Sequence, residues 1–350
     1  MGDYFKRVSS LTPTKFWINN VTIKEANMAI EAGAVGCTQN PSYTWKMLNH
    51  PTDSYIAKEK LAKILSEEPD DNMVIKTLQR SLVDDIAKIF LPMYEQSNGK
   101  DGYVSIQGDP FHEDLDTIIS SAHFNREAGK NIMVKVPVTE EGLKAIAILA
   151  AEGIPINATE CMAVRQVLDV CDVYVEAIKH TKAPAPLYFS LITGIFDQYL
   201  HAEVKEKHID ICPDILWQAG LCIAKKVDAL IRERNYPVGF IGGGARGLHH
   251  FTEMVGCAAS ITINWIGTAD KLIEQNGPVV SRFNQPVPFS VEDELIEKLD
   301  TFRKAYFING IRPSEYEDFG PVVLFRSSFE TSWSHTLSYI AEQRSQMKMR

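Results

Sequence analysis

Short runs rich in β-branched and aromatic residues alternate, eight times along the chain, with stretches whose apolar residues recur at helical spacing. The runs predict strands at residues 15–21, 35–40, 103–108, 131–137, 155–160, 187–193, 238–244 and 260–265. Helices are predicted between them, for example over 23–32 and 115–128. Thr22-x-x-Glu25 opens the first of these as a capping box, which satisfies two backbone donors the helix would leave orphaned, and Gly33 ends it. Thr139-Glu140-Glu141 sets acidic side chains at the positive end of another. Such alternation implies parallel strands joined by crossover helices, and eight units close as a (β/α)8 TIM barrel. Two regions depart from it. Residues 41–102, between the second and third strands, read as a helical insertion with helices at 54–65 and 72–97. Residues 290–350 read as a C-terminal helical extension with helices at 291–307 and 327–342. No repeat or linker divides the chain, so the expectation is one barrel domain over 1–350, with the extra C-terminal helices packed back onto it or onto a partner.

In a barrel strand, side chains alternate between the lumen and the surrounding helices, so parity sorts them. In Asn131-Ile-Met-Val-Lys-Val-Pro137, the apolar Ile132, Val134 and Val136 must meet the helices, which turns Lys135 inward. The same test turns Asn19, Thr38, Asn40, Ser105, Gln107, Asn157, Thr159, Tyr188, Ser190, Thr262 and Asn264 inward. One polar position could be a cap on the core, and one lysine could reach water along its stem. Seven or eight strands showing the pattern together indicate a site. An ammonium enclosed there loses hydration, so its pKa should fall. A neutral amine is the nucleophile that forms a Schiff base with a ketone or aldehyde, and gripping a phosphate is the rival role.

Composition narrows the partners. The 350 residues carry 36 Lys+Arg against 45 Asp+Glu, a net charge of −9, which argues against bulk binding of nucleic acid or anionic membrane. The first residues lack a secretory pattern, and no run approaches the ~18 apolar residues of a membrane span. A cytoplasmic location and a small-molecule partner are therefore expected, with a homo-oligomer left open. The six cysteines show no Cys-x-x-Cys and read as reduced thiols. His249-His250 are adjacent rather than at ligand spacing, so no metal is expected.

Four runs resemble the transaldolase family of class I aldolases: Gly36-Cys-Thr-Gln-Asn-Pro-Ser42, Val104-Ser-Ile-Gln-Gly-Asp-Pro110, Val134-Lys-Val-Pro-Val-Thr-Glu-Glu-Gly142 and Ile156-Asn-Ala-Thr159. The resemblance extends over roughly residues 15–270 in consistent order. It implies that Lys135 forms a Schiff base with a ketose or sugar phosphate, and that an aldol C–C bond is made, broken or transferred. No cofactor is then needed, because the protonated imine is the electron sink. Asn40 and Asn157 match positions that hydrogen-bond the sugar, with Thr38, Ser105, Thr159 and Ser190 lining the pocket. Three positions depart from the family pattern. Asn19 stands where the family has a catalytic aspartate, Gln107 where it has a glutamate, and Ile195 where it has one of two phosphate-binding arginines. Amides orient a hydroxyl but cannot take its proton, and losing a general base typically forfeits ~100-fold to 10,000-fold in rate. An ordinary transaldolase rate is thus not expected. Tyr188 is offered as a substitute for the tyrosine that partners a glutamine in the fructose 6-phosphate aldolase branch. Asp109, Glu160 and His112 are the nearby titratable groups and the candidates for the replacement base. A non-catalytic sugar-binding protein on the same barrel is the alternative.

Ile241-Gly-Gly-Gly-Ala-Arg-Gly247 contains Gly-x-Gly-x-x-Gly, but it falls at the seventh strand and lacks the acidic residue that a dinucleotide site needs about 20 residues on. It reads better as an anion site, with glycines letting backbone N–H groups approach an oxyanion. Arg246 matches the family's remaining phosphate-binding arginine. With Ile195 in place of the other, a weakly held phosphate, another anion or an uncharged substrate is expected.

Overall fold

The computed structural model describes residues 2–348. Eight parallel strands, β1 (Lys15–Asn19), β2 (Ala34–Thr38), β3 (Val104–Gln107), β4 (Ile132–Pro137), β5 (Ile156–Cys161), β6 (Leu187–Leu191), β7 (Gly239–Gly242) and β8 (Ser260–Ile263), close into a barrel in sequence order. Alternation builds two cores from the same strands. Outward residues such as Ile132, Val134, Val136, Leu187 and Phe189 are buried against the helices. Inward, Trp17, Tyr103, Met133 and Ile241 fill the lower lumen, with Val35 and Tyr188 packed on them. This apolar layer leaves only the upper lumen for polar residues.

Six of the eight strands end one or two residues earlier than the pattern predicts, because the residues there, Asn40 and Asn264 among them, leave the ladder and enter loops. Helix Tyr4–Leu11 went unread in the sequence; it lies against the start of β1, with Phe5 stacked on Phe16 at 3.9 Å between centroids. Helix Ser42–Leu48 adds a third helix to the insertion, ahead of Ser54–Glu67 and Asp71–Gln96. The predicted helix over 291–307 divides into Phe289–Lys298 and Asp300–Tyr306 at Leu299, whose backbone is extended. The last helix is longer than expected, Gly320–Lys348, since Pro321 in the first turn interrupts no intrahelical hydrogen bond.

That C-terminal helix does not hang free. It packs on Ser42–Leu48, on Asp71–Gln96 and on the helix after β6, Thr193–Lys207. Trp333 and Phe329 are buried in these contacts, Trp45 meets His335 at 5.2 Å, and Arg344 donates to Asp71 Oδ1 at 2.7 Å and to the Glu68 carbonyl at 2.8 Å. The insertion is therefore the platform that holds the extension across the C-terminal ends of the strands.

One tight contact ties β4 to the helix that follows it, Glu140–Ala151. Thr139 caps that helix by accepting from the Gly142 amide at 3.0 Å, and a Cβ on Gly142 would lie 1.8 Å from the Pro137 carbonyl oxygen. Gly142→Ala must push the helix start away from the strand that carries Lys135. Urea unfolding should show a loss of about 1–3 kcal/mol, the usual cost of overpacking; wild-type stability would show that the contact relaxes freely.

Candidate active site

Two residues above Met133 on β4, Lys135 enters a cavity of about 190 Å³ at the C-terminal ends of the strands. Asn19, Thr38, Asn40, Thr159, Ser190 and Arg246 line it with Lys135, so five separate segments converge on the amine carried by a sixth. The polar wall is cross-linked. Thr38 Oγ1 donates to Asn19 Oδ1 at 2.8 Å, and since a hydroxyl has one proton it must accept from Thr262 Oγ1 at 2.7 Å. Asn19 Nδ2 donates to Asn264 Oδ1 at 2.9 Å, and Asn20 Nδ2 to Asn40 Oδ1 at 2.8 Å. Ser105 and Asn157 sit just beneath, fully buried and off the cavity wall. Ser190 donates to Asn157 Oδ1 at 2.7 Å, and Asn157 Nδ2 reaches Ser105 at 3.4 Å. They brace the floor beside Lys135, which pairs with Asn157 in register.

Lys135 is only 9% exposed, and no carboxylate oxygen lies within 4.0 Å of its ammonium among the described residues. Loss of hydration lowers its pKa from the usual 10.5 to about 8, against an opposing pull from the charge of Glu160. Glu160 is the main correction to the parity reading, which left one charged residue in the lumen. The sequence places Glu160 outward, but its backbone is left-handed (φ 67°), which breaks the alternation at the end of β5. Its Oε1 accepts from Gln107 Nε2 at 2.9 Å, and the residue is completely buried. Burial pushes its pKa up to about 6 in spite of Gln107, Arg326 and Lys135, each of which favours the carboxylate.

A second, smaller cavity of about 20 Å³ is lined by Lys135, Gln107 and Glu113 among others. Arg326 from the C-terminal helix stands 3.7 Å from Glu113 Oε2, beyond hydrogen-bond length, and desolvation together with the charge of Glu160 holds Glu113 well above the usual carboxyl range. Asp109 and His112 line the same small cavity but are bonded to each other, and Tyr188 lies below it. Asp109 Oδ2 meets His112 Nδ1 at 3.1 Å, and Oδ1 accepts from the Phe111 amide. Tyr188 lies in the apolar layer, 5.8 Å from Trp17, and does not partner Gln107.

The Transaldolase/Fructose-6-phosphate aldolase family matches residues 16–305. The chain belongs to that family. Among curated relatives it is 30% identical over 209 residues to the transaldolase of Mycobacterium tuberculosis (strain CDC 1551 / Oshkosh), covering 57% of this chain and 55% of the relative. It is 31% identical over 188 residues to that of Thiobacillus denitrificans, covering 50% and 52%, and 28% over 176 residues to that of Saccharopolyspora erythraea, covering 48% and 47%. The chain spans about half the length of the curated relatives it matches.

Beyond the amine, the segments after β6 and β7 shape the cavity. Ile195 is buried and packs toward Gly244, whose φ of 71° makes the sharp turn after β7. Arg246 is held in part: Nε donates to Gln198 Oε1 at 2.6 Å and Nη1 to the Gly244 and Ala245 carbonyls at 3.2 Å, which leaves the Nη2 hydrogens without a partner among the described residues. Asp197, His249 and His250 bring ligand atoms within 4.8 Å of one another. Yet Asp197 accepts from the Gly220 amide and pairs with His250 Nε2 at 3.0 Å, while His250 Nδ1 accepts from the Arg246 amide at 3.3 Å. The pair thus anchors the glycine-rich turn, leaving no oxygen or ring nitrogen of Asp197 or His250 unengaged for a metal. Phe325, Ser328 and Phe329 of the C-terminal helix close the cavity from above. Their i, i+4 aromatic spacing was the available signal, hidden by a predicted helix start at 327. No helix among the described residues is long and apolar enough to cross a membrane.

Burying Lys135 has a thermodynamic signature. A pKa of about 8 in the fold against 10.5 when unfolded means the unfolded state binds more protons between those values, so stability rises across that window and the penalty, about 3 kcal/mol, is fully present below it. Lys135→Met should therefore be more stable than wild type at pH 7 by up to that amount, the gap narrowing from about pH 8 to 10.5. Calorimetry showing a gap independent of pH would assign the lysine an ordinary pKa.

Proposed function

We propose that this family member is an enzyme of carbohydrate metabolism in which Lys135 forms a Schiff base with a ketose or sugar phosphate and an aldol C–C bond is made, broken or transferred. The observation that carries the reading is the desolvated lysine inside a polar, cross-linked cavity with no carboxylate bonded to it. An ammonium kept for structure would be paired, because burying a lone charge is costly. Here the environment instead favours the neutral amine, the form that attacks a carbonyl.

In this reading the Lys135 nitrogen bonds to the carbonyl carbon and a proton passes from nitrogen to the carbonyl oxygen. Protonation of that hydroxyl releases water and leaves the protonated imine, which accepts the electron pair of the adjacent C–C bond when the hydroxyl beyond it is deprotonated. Asn19, Thr38, Asn40 and Ser190 supply donors and acceptors for the substrate's hydroxyls. Phe325 and Phe329 exclude water, which would otherwise protonate the enamine too early. With the apolar Ile195 packed toward the glycine-rich turn, Arg246 is the one guanidinium on the cavity wall among the described residues, which favours a substrate whose far end is weakly charged or uncharged. The non-catalytic sugar-binding reading rests on the two amides, Asn19 and Gln107, and gives no reason to desolvate a lysine.

Borohydride reduction in the presence of dihydroxyacetone, and separately of fructose 6-phosphate, tests the reading by peptide mass spectrometry. A reduced adduct on Lys135, absent in Lys135→Ala, is expected, with dihydroxyacetone trapped at least as readily as the phosphorylated sugar. No adduct from either ketose in folded wild-type protein would support the binding reading.

A further inference from the structure

We propose that Glu160, anchored by Gln107 and set against Glu113 and Arg326, is the group that gives and takes the proton for the adduct at Lys135. The inference rests on the Schiff-base reading and supplies what Asn19 and Gln107 cannot.

The geometry is that of a held carboxyl rather than a structural one. Glu160 is completely buried at the end of β5, and a non-glycine residue there adopts a left-handed backbone. That conformation is disfavoured and persists only where the surroundings impose it. Gln107 Nε2 fixes Oε1, whereas Oε2 has no hydrogen-bond partner among the described residues. Gln107 Oε1 and Thr159 Oγ1, also buried, are likewise unpartnered, so acceptor capacity clusters on the side of Lys135 formed by β3 and β5. Such groups are costly in a core with no ligand to serve.

The charged surroundings set which carboxyl works. The charges that act on Glu160 are those of Lys135 on β4 and of Arg326 and Glu330 on the C-terminal helix, and it acts in turn on Glu113, in the segment before helix Leu115–Arg126, which also feels Arg326, Glu317 and Glu330. Two neighbouring buried carboxyls do not both ionise readily. Burial and the charge of Glu160 push Glu113 toward its protonated form. Glu160 is pushed up by burial to about 6, held there by the Gln107 hydrogen bond and the attraction of Arg326 and Lys135, so it is the carboxyl poised to change its proton near neutral pH.

The proton count closes over the reaction. Glu160 as the acid gives its proton to the carbinolamine hydroxyl; the C–O bond breaks, water leaves, and the protonated imine stands beside a carboxylate. That carboxylate then takes a proton, from the substrate hydroxyl when the C–C bond breaks or from the α-carbon when the enamine forms without cleavage. The freed electron pair neutralises the imine nitrogen, and Glu160 is an acid again.

Deuterium exchange at the α-carbon of dihydroxyacetone, followed by proton NMR at saturating ketone, isolates this step, with borohydride trapping run alongside. Wild type should trap the ketone and exchange it, the rate falling as pH drops through about 6. Glu160→Gln should still trap the ketone on long incubation but exchange about 100-fold more slowly or less, with the acid limb lost; Glu160→Asp should restore part of both. Arg326→Met should move the acid limb to higher pH, a shift that a merely structural role does not produce. A wild type that traps but does not exchange, a folded Glu160→Gln with wild-type exchange, or an acid limb unmoved in Arg326→Met overturns the proposal. Absence of a trapped adduct in wild type instead overturns the Schiff-base reading beneath it.

Discussion

The site depends on the loss of water around one ammonium. Lys135 stands where an apolar layer of Trp17, Met133, Tyr188 and Ile241 gives way to amides and hydroxyls, and where aromatic side chains from the C-terminal helix cover the top. Below, Lys135 would need a different lumen to reach solvent; above, Phe325 and Phe329 stand in the way. Cross-linked hydroxyls and amides solvate the amine less well than water does, which is why its proton is held less tightly.

The extra helices acquire a purpose from this constraint. An eight-stranded barrel has an open end at the C-terminal edge of its strands, where sites of this fold are built. Here the insertion between β2 and β3 supports the C-terminal helix, and that helix both roofs the cavity and brings Arg326 to the carboxyls beside Lys135. Enclosure and electrostatics thus come from one element, so a change in the helix's seating would alter water access and proton affinity together.

What was legible in the sequence follows from what is periodic. The strand parity of Ile132, Val134 and Val136 turns Lys135 inward because each face of a barrel strand meets a different medium, and the polar set from Asn19 to Ser190 emerges by the same rule. Glu160 was misplaced because parity assumes an unbroken strand, and a left-handed residue reverses it without any local mark in the sequence. Phe325 and Phe329 were missed because roofing a cavity whose lining runs from Asn19 to Asn264 is decided by tertiary packing, which no short-range pattern encodes. Tyr188 had the right parity but the wrong depth: two residues along a strand separate the apolar plug from the cavity. The glycine-rich turn was read as an anion site from its backbone freedom. Its side-chain partners, with Arg246 bonded to Gln198 and to its own carbonyls, appear only in three dimensions.

The account stands on the protonation of Lys135, and that can be observed directly. Nitrogen-15 and carbon-13 NMR of the lysine Nζ and Cε groups, with the Lys135 signal assigned from its absence in Lys135→Met, follows the titration of this one amine in the folded protein. A midpoint near 8 is the predicted result. A midpoint at the ordinary lysine value of about 10.4 would mean that the ammonium is fully solvated or paired, and would contradict the account at its base.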